Sequence, residues 1–93
     1  MDIQEGHNRF YMTDESGHEI AEVTYTQKGD SILVLDHTFV DPAYRGGAIA
    51  RNLVKTVVEK ARKENKKIIP VCSYAKAQFA RVKDYQDVEY KGE

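Results

Sequence analysis

Apolar and polar residues alternate with a period of two along two stretches near the start of the chain. Phe10 and Met12 alternate with Arg9, Tyr11 and Thr13, and Ala21, Val23 and Tyr25 alternate with Glu22, Thr24 and Thr26. That period puts every second side chain on one face, so it predicts two strands, the first beginning at Asn8, each burying one side. Asp14-Glu15-Ser16-Gly17 between them and Lys28-Gly29-Asp30 after them carry turn-favouring side chains, which predicts an antiparallel meander. Ile32 to Val40 is nearly unbroken in apolar residues and predicts a central strand covered on both faces. Asp41-Pro42 stops it, because proline donates no ladder hydrogen bond and Asp before Pro favours a turn.

The period then changes. Ile49, Ala50, Leu53, Val54, Val57, Val58 and Ala61 recur at intervals of three to four, while Arg51, Asn52, Lys55, Glu59, Arg62 and Lys63 take the other side. This predicts an amphipathic helix ending near Asn65, a residue that tolerates the left-handed conformation in which helices stop. Lys67 to Cys72 predicts a short buried strand with Pro70 at a bulge or an unpaired position. A second helix from Tyr74 to Val82 and a fragment from Asp87 to Tyr90 complete the chain. The whole order predicts an α/β fold of the α+β kind, a mostly antiparallel sheet of about four to five strands with two helices.

Composition narrows what such a fold can be. The 93 residues suit one domain over 1–93, with an ordered core about 8–90. No run of about 18 apolar residues occurs, and the first residues lack the basic-then-apolar pattern of a secretory signal, so a cytoplasmic protein that neither spans nor enters a membrane is expected. The one cysteine, Cys72, can close no internal disulfide and build no thiolate metal site. The spacing of His7 and His18 makes no metal site either, and no metal is expected.

Net charge is −1, but it is unevenly spread: nine acids and two bases precede Arg45, whereas Arg45 to Lys67 holds eight bases and two acids. A basic segment beside an acidic one suits a polyanionic ligand on one side and a cationic co-substrate on the other, with Glu19, Glu22 and Asp36 available to the acidic side. A Lys-rich solvated helix would give the same distribution.

The junction of loop and helix carries the sharpest chemistry. Tyr44-Arg45-Gly46-Gly47-Ala48-Ile49-Ala50-Arg51 runs from a central strand directly into a helix. The first turn of a helix leaves amides unpaired and adds about half a positive charge, so a diphosphate can be held by main chain alone. Gly46 and Gly47 allow close approach, Ala48 and Ala50 are too small to block it, and Arg45 and Arg51 add charge-assisted hydrogen bonds. A tight entry turn would also use a Gly-Gly pair. The segment is neither a Walker loop, lacking Gly-Lys-Ser/Thr, nor a dinucleotide fingerprint.

The element order and this loop together resemble the core of the Gcn5-related N-acetyltransferases, whose acetyl-CoA motif reads Arg/Gln-x-x-Gly-x-Gly/Ala. Arg45, Ala48 and Ala50 fall on its fixed positions. His37-Thr38-Phe39-Val40, Arg45-Gly46 with Ile49-Ala50, and Ile69-Pro70-Val71-Cys72-Ser73-Tyr74 are similar to the very small YjdJ-type branch, over roughly Asn8 to Tyr90. The resemblance implies an acetyl-CoA-dependent N-acetyltransferase of reduced fold. Its coenzyme A is held by Phe39, Val40, Arg45, Gly46, Gly47, Ala48, Ile49, Ala50, Arg51 and Ser73. The pantetheine arm lies between two splayed strand ends and pairs with backbone near Phe39 and Val40. Two departures stand out. The motif's fixed glycine is Ala48, and the tyrosine that serves larger relatives as general acid is replaced by Ala80 when the second helix starts at Ser73.

The resemblance makes Cys72 and His37 the candidate catalytic residues. Cys72 ends a strand just before a helix, where the dipole favours a thiolate; a free cysteine is also a common small apolar filler. Histidine is the residue type suited to proton transfer near neutrality, though by periodicity the apolar strand around His37 favours a hydrogen-bonded core histidine. Asp36 and His37 are adjacent on a strand and point to opposite faces, so they form no dyad. In a direct route an amine attacks the thioester and Cys72 protonates the departing thiolate; in a covalent route His37 activates Cys72, which takes the acetyl group and passes it on. A non-catalytic coenzyme A-binding regulatory module is the alternative. Nucleic acid is not expected as a partner, because the net charge is slightly negative and no aromatic stacking surface flanks the basic helix. A monomer or weak dimer is expected, given an exposed edge strand in so small a domain.

Overall fold

The alternating stretches form neighbouring strands of one sheet in the computed structural model, which describes residues 2–92. Met1 and Glu93, the ends of the domain expected from sequence, lie outside the described residues. The sheet has five strands in chain order: β1 (Ile3–Gly6), β2 (Arg9–Thr13), β3 (Glu19–Lys28), β4 (Ile32–Val40) and β5 (Lys67–Pro70). The first three pairings are antiparallel and the last, β4 with β5, is parallel. Helix α1 (Ile49–Glu64) makes the crossover from β4 to β5, and α2 (Ser73–Arg81) follows β5.

Strand β1 is an element that the sequence reading did not include. Its residues Ile-Gln-Glu-Gly offer one apolar side chain, so no alternation marks it; pairing of Ile3 with Met12 and of Gly6 with Arg9 makes it a strand. Asn8 belongs to the intervening turn, at φ 57°. Strand β5 stops at Pro70, two residues short of the expected Cys72, and α2 starts one residue earlier than expected, at Ser73.

Both helices pack on the same face of the sheet. Phe10, Met12, Ala21, Val23, Tyr25, Leu33, Leu35 and Ile68 are buried beneath them, with Leu53, Val54, Val57, Val58 and Ala61 of α1 wholly shielded. Each buried Val or Leu contributes about 1.5–3 kcal/mol relative to exposure. The other face is open: Ile32, Val34 and Ile69 are only half-buried and Phe39 is 41% exposed. The expectation that β4 is covered on both faces is therefore corrected, since a crossover to one side leaves nothing over the other.

Two irregularities shape the functional end of β4. Tyr25 pairs with Leu35 but Thr24 with His37, so Asp36 is an extra residue, a bulge that inverts the face to which later residues belong and puts Asp36 and His37 on the same open face, against the opposite faces expected from alternation. Leu33 and Leu35 face the helices before it; Thr38 and Val40 do so after it. In addition, β5 ends opposite Leu35, whose carbonyl accepts from both Val71 (3.0 Å) and Cys72 (3.2 Å), so β4 runs on to Val40 with no partner on that side. Asn65 closes α1 at φ 60°, ψ 45°, the left-handed stop expected of it. The tail adds to the outer edge of β5, with Ile68 donating to Val88 and Tyr90 donating to Ile68. Among the described residues no helix is long and apolar enough to cross a membrane.

Candidate functional site

A groove of about 600 Å³ opens where β4 outruns β5. His37 to Val40 form one wall, Tyr44 to Gly47 with Ile49 and Ala50 another, and Tyr74 of α2 closes the end. Each wall follows from local chemistry. Asp41 caps the short turn Pro42–Tyr44 by accepting from Ala43 at 2.9 Å, and the Arg45 guanidinium donates from Nε to the Val40 carbonyl at 2.8 Å, tying loop to strand. Gly46 sits at φ 91°, a conformation that side chains other than hydrogen strain to adopt, and it redirects the chain into α1.

The amides that follow have nothing to bind. The first helical bond of α1 is Asn52 to the Ala48 carbonyl, and among the described residues no acceptor engages the N–H groups of Gly46, Gly47, Ala48, Ile49, Ala50 or Arg51. Ala48 caps the helix without a side-chain bond, and no acidic residue lies in the first turn to offset the positive end of the dipole. The free amides run from Gly46 to Arg51, and the Arg45 amide is already directed at the Pro42 carbonyl, at 3.4 Å.

The alternation of the β3–β4 ladder decides which main-chain groups face the gap. Asp41 donates to Ile20, so Phe39 and His37 likewise turn their main chain to β3, and Thr38 and Val40 turn theirs toward the open side. Phe39 was expected to offer backbone to an extended ligand; Thr38 is in that position instead. Of the expected binding residues, Phe39, Val40, Arg45, Gly46, Gly47, Ile49 and Ala50 line the groove. Ala48 presents a free amide, Arg51 is exposed as the third residue of α1, and Ser73 is an exposed first residue of α2.

Cys72 is half-buried and is the N-cap of α2, its Sγ accepting from the Ala75 amide at 3.4 Å. Its nearest polar partner is the Thr38 hydroxyl, 2.8 Å away. His37 lines the groove, but no hydrogen bond joins it to Cys72, and its side chain leaves β4 on the face opposite Thr38. Thr38, Tyr44 and Tyr74 are site residues that the sequence reading missed. All three stand inside the motif segments without a role of their own in sequence: no local signal announces the bulge that turns Thr38 inward, and the two tyrosines carry no signal beyond their place in those segments.

Charges elsewhere are largely used. Arg9 spans Glu19 (2.8 Å) and Glu22 (2.7 Å), which hold its guanidinium proton more tightly than usual and take both acids out of the reserve for a cationic substrate. Asp36 remains exposed, accepting from Thr26. Lys60 binds Glu64, Arg62 clamps Asp87, Lys66 reaches Glu64, and Lys67 donates to the Asp87 carbonyl, so with Arg45 on the Val40 carbonyl five of the eight bases in the basic segment are committed internally.

Comparison with known proteins resolves the family. The sequence model described as GCN5-related N-acetyl-transferase matches residues 9–88. The chain belongs to the GCN5-related N-acetyltransferases. An NMR structure of a GCN5-like putative N-acetyltransferase from Staphylococcus aureus is 38% identical, with a TM-score of 0.81, over 99% of this chain and 90% of that one. N-acetylglutamate synthase from Neisseria gonorrhoeae, complexed with coenzyme A and N-acetyl-glutamate, is 13% identical with a TM-score of 0.65, over 78% of this chain and 18% of its own. A Mycobacterium tuberculosis protein in complex with CoA is 15% identical with a TM-score of 0.62, over 78% of this chain and 47% of its own. These two share the fold, and this acetyltransferase-family chain spans less than half of either. A search among curated proteins finds no match. Ala48 retains a free amide, and Ala80 is exposed on α2.

Proposed function

We propose that this chain is a single-domain acetyltransferase that moves acetyl from acetyl-coenzyme A to an amine, without a metal. The observation that carries the reading is the run of six unpaired amides, Gly46 to Arg51, at the uncompensated positive end of α1 and at the mouth of a strand gap. The diphosphate sits on those amides. The pantetheine arm lies in the gap and pairs with the main chain of Thr38 and Val40, and the thioester reaches the Thr38–Cys72 end of the groove. There Cys72 protonates the departing coenzyme thiolate or, in the covalent route, takes the acetyl group itself. Any role for His37 is on the open face, toward an amine arriving from that side. The acceptor, a small molecule or a protein side chain, meets the exposed Asp36 side chain there. The even match in length to the Staphylococcus aureus protein supports the very small YjdJ-type branch, and we take the chain to be a cytoplasmic monomer or weak dimer.

Incubation with acetyl-coenzyme A and a panel of amines, followed by intact-mass analysis, tests this. Acetylated amine supports the transferase. A protein adduct of about 42 Da that disappears in Cys72→Ala supports the covalent route, and turnover without it removes that route. A second reading, a coenzyme A-binding regulatory module, is favoured by the alanine at position 80 and by the lack of a hydrogen bond between His37 and Cys72. Binding without turnover of any amine would select it.

A further inference from the structure

We propose that Thr38 is the positioning residue of Cys72: its hydroxyl accepts a hydrogen bond from the thiol and turns to donate one when the sulfur is a thiolate. The proposal rests on reading the groove as the acetyl-coenzyme A site, and it concerns how that site controls its one sulfur.

The Cys72 Sγ has two polar neighbours, the Ala75 amide at 3.4 Å and the Thr38 hydroxyl at 2.8 Å. The amide can only donate, so it occupies a sulfur lone pair and leaves the S–H to seek an acceptor. Thr38 Oγ1 supplies one. A hydroxyl carries one donor and two acceptor sites on a freely turning bond, so the same group serves the sulfur in either state. A carboxylate could only accept, whereas the hydroxyl also donates, and its bond to a charged thiolate is the stronger of the two.

The bulge at Asp36 is the device that puts a hydroxyl there. Strict alternation from Leu33 and Leu35 would bring His37 to the helix-facing side; the extra residue sends His37 outward and brings Thr38 inward. Thr38 both lines the groove and touches the sulfur, so it links the ligand's space to a half-buried thiol. Branching at its β-carbon restricts χ1, which holds Oγ1 toward the sulfur.

Because Cys72 is the only cysteine, its signals need no assignment. In ligand-free protein the infrared S–H stretching band reports the thiol's donor bond, and the iodoacetamide alkylation rate at fixed pH reports its readiness to react. T38V keeps the shape and removes the hydroxyl. It is expected to move the band to higher frequency and to slow alkylation about two- to tenfold, the span of one ordinary hydrogen bond. T38S keeps the hydroxyl without the branch and should recover most of the wild-type band position and rate. T38A repeats the test should T38V fail to fold. If the band and rate in the hydroxyl-free variants match wild type, the proposal is overturned. Neither readout uses coenzyme A, so failure of the coenzyme to bind wild-type protein would sink the acetyltransferase reading while these results stood.

Discussion

Gly47 distinguishes a loop built to fold from a loop built to hold phosphate. Its backbone lies outside the left-handed region, and a β-carbon added there meets nothing within 4 Å. Gly47→Ala should therefore leave the ligand-free protein as stable as before, or more stable by about 0.4–1 kcal/mol through a less mobile unfolded chain. If a diphosphate rests on the amides from Gly46 to Arg51, that empty space is where it sits, and the new methyl holds it off at least one donor. A hydrogen bond to a charged group is worth about 1.5–3 kcal/mol, so coenzyme A should bind at least tenfold more weakly. At a coenzyme concentration one hundred times the wild-type Kd, ligand stabilises the fold by about 2.7 kcal/mol, which falls to about 1.4 kcal/mol when Kd rises tenfold. For a domain of this size the difference lowers the ligand-induced rise in Tm by roughly 5–10 °C. Thermal unfolding of both proteins with and without coenzyme A measures it. Equal rises in Tm would refute the placement of phosphate against Gly47.

Other variants test other links. Gly46→Ala, at φ 91°, should lose about 1–2 kcal/mol in urea unfolding with no ligand present, because a left-handed conformation is forced on a residue with a β-carbon. Phe79→Ala removes a ring that is 1% exposed and lies 5.3 Å from Tyr85, and should destabilise the fold by about 3–5 kcal/mol, a large share of a small domain's stability. Acid should weaken the fold through two carboxyls held below the usual range, Asp87 by the Arg62 guanidinium and Glu64 by Lys60 and then Lys66. These groups bind protons more weakly when folded, so their stabilisation is present above about pH 4 and is lost as pH falls through their folded values. The stability gap between wild type and Arg62→Met, measured by urea unfolding, should thus narrow below that pH, and a constant gap would contradict the assignment.

Much of this arrangement is legible in residue order because local period and tertiary burial agree. The α1 stripe from Leu53 to Ala61 is the helical side that meets the sheet, and Asn65 stops the helix where its left-handed tolerance suggests. The loop from Arg45 to Arg51 declares itself through Gly-Gly before an amphipathic run. What stays hidden depends on partners far away in sequence. Edge strand β1 exists through its pairing with β2, and its own residues do not alternate. The bulge at Asp36 arises from a mismatch between β3 and β4, and it decides that Thr38 faces Cys72 and His37 does not. The one-sided burial of Ile32 to Val40 follows from both helices choosing the same face, which an unbroken apolar run cannot express.

The central claim, that free main-chain amides at the start of α1 grip a diphosphate, is tested most directly by titrating uniformly 15N-labelled protein with coenzyme A and following its amide resonances. The account predicts that the N–H signals of Gly46 through Arg51 move furthest, with Thr38 and Val40 next. Saturable binding that moves signals elsewhere and leaves those six in place would contradict it.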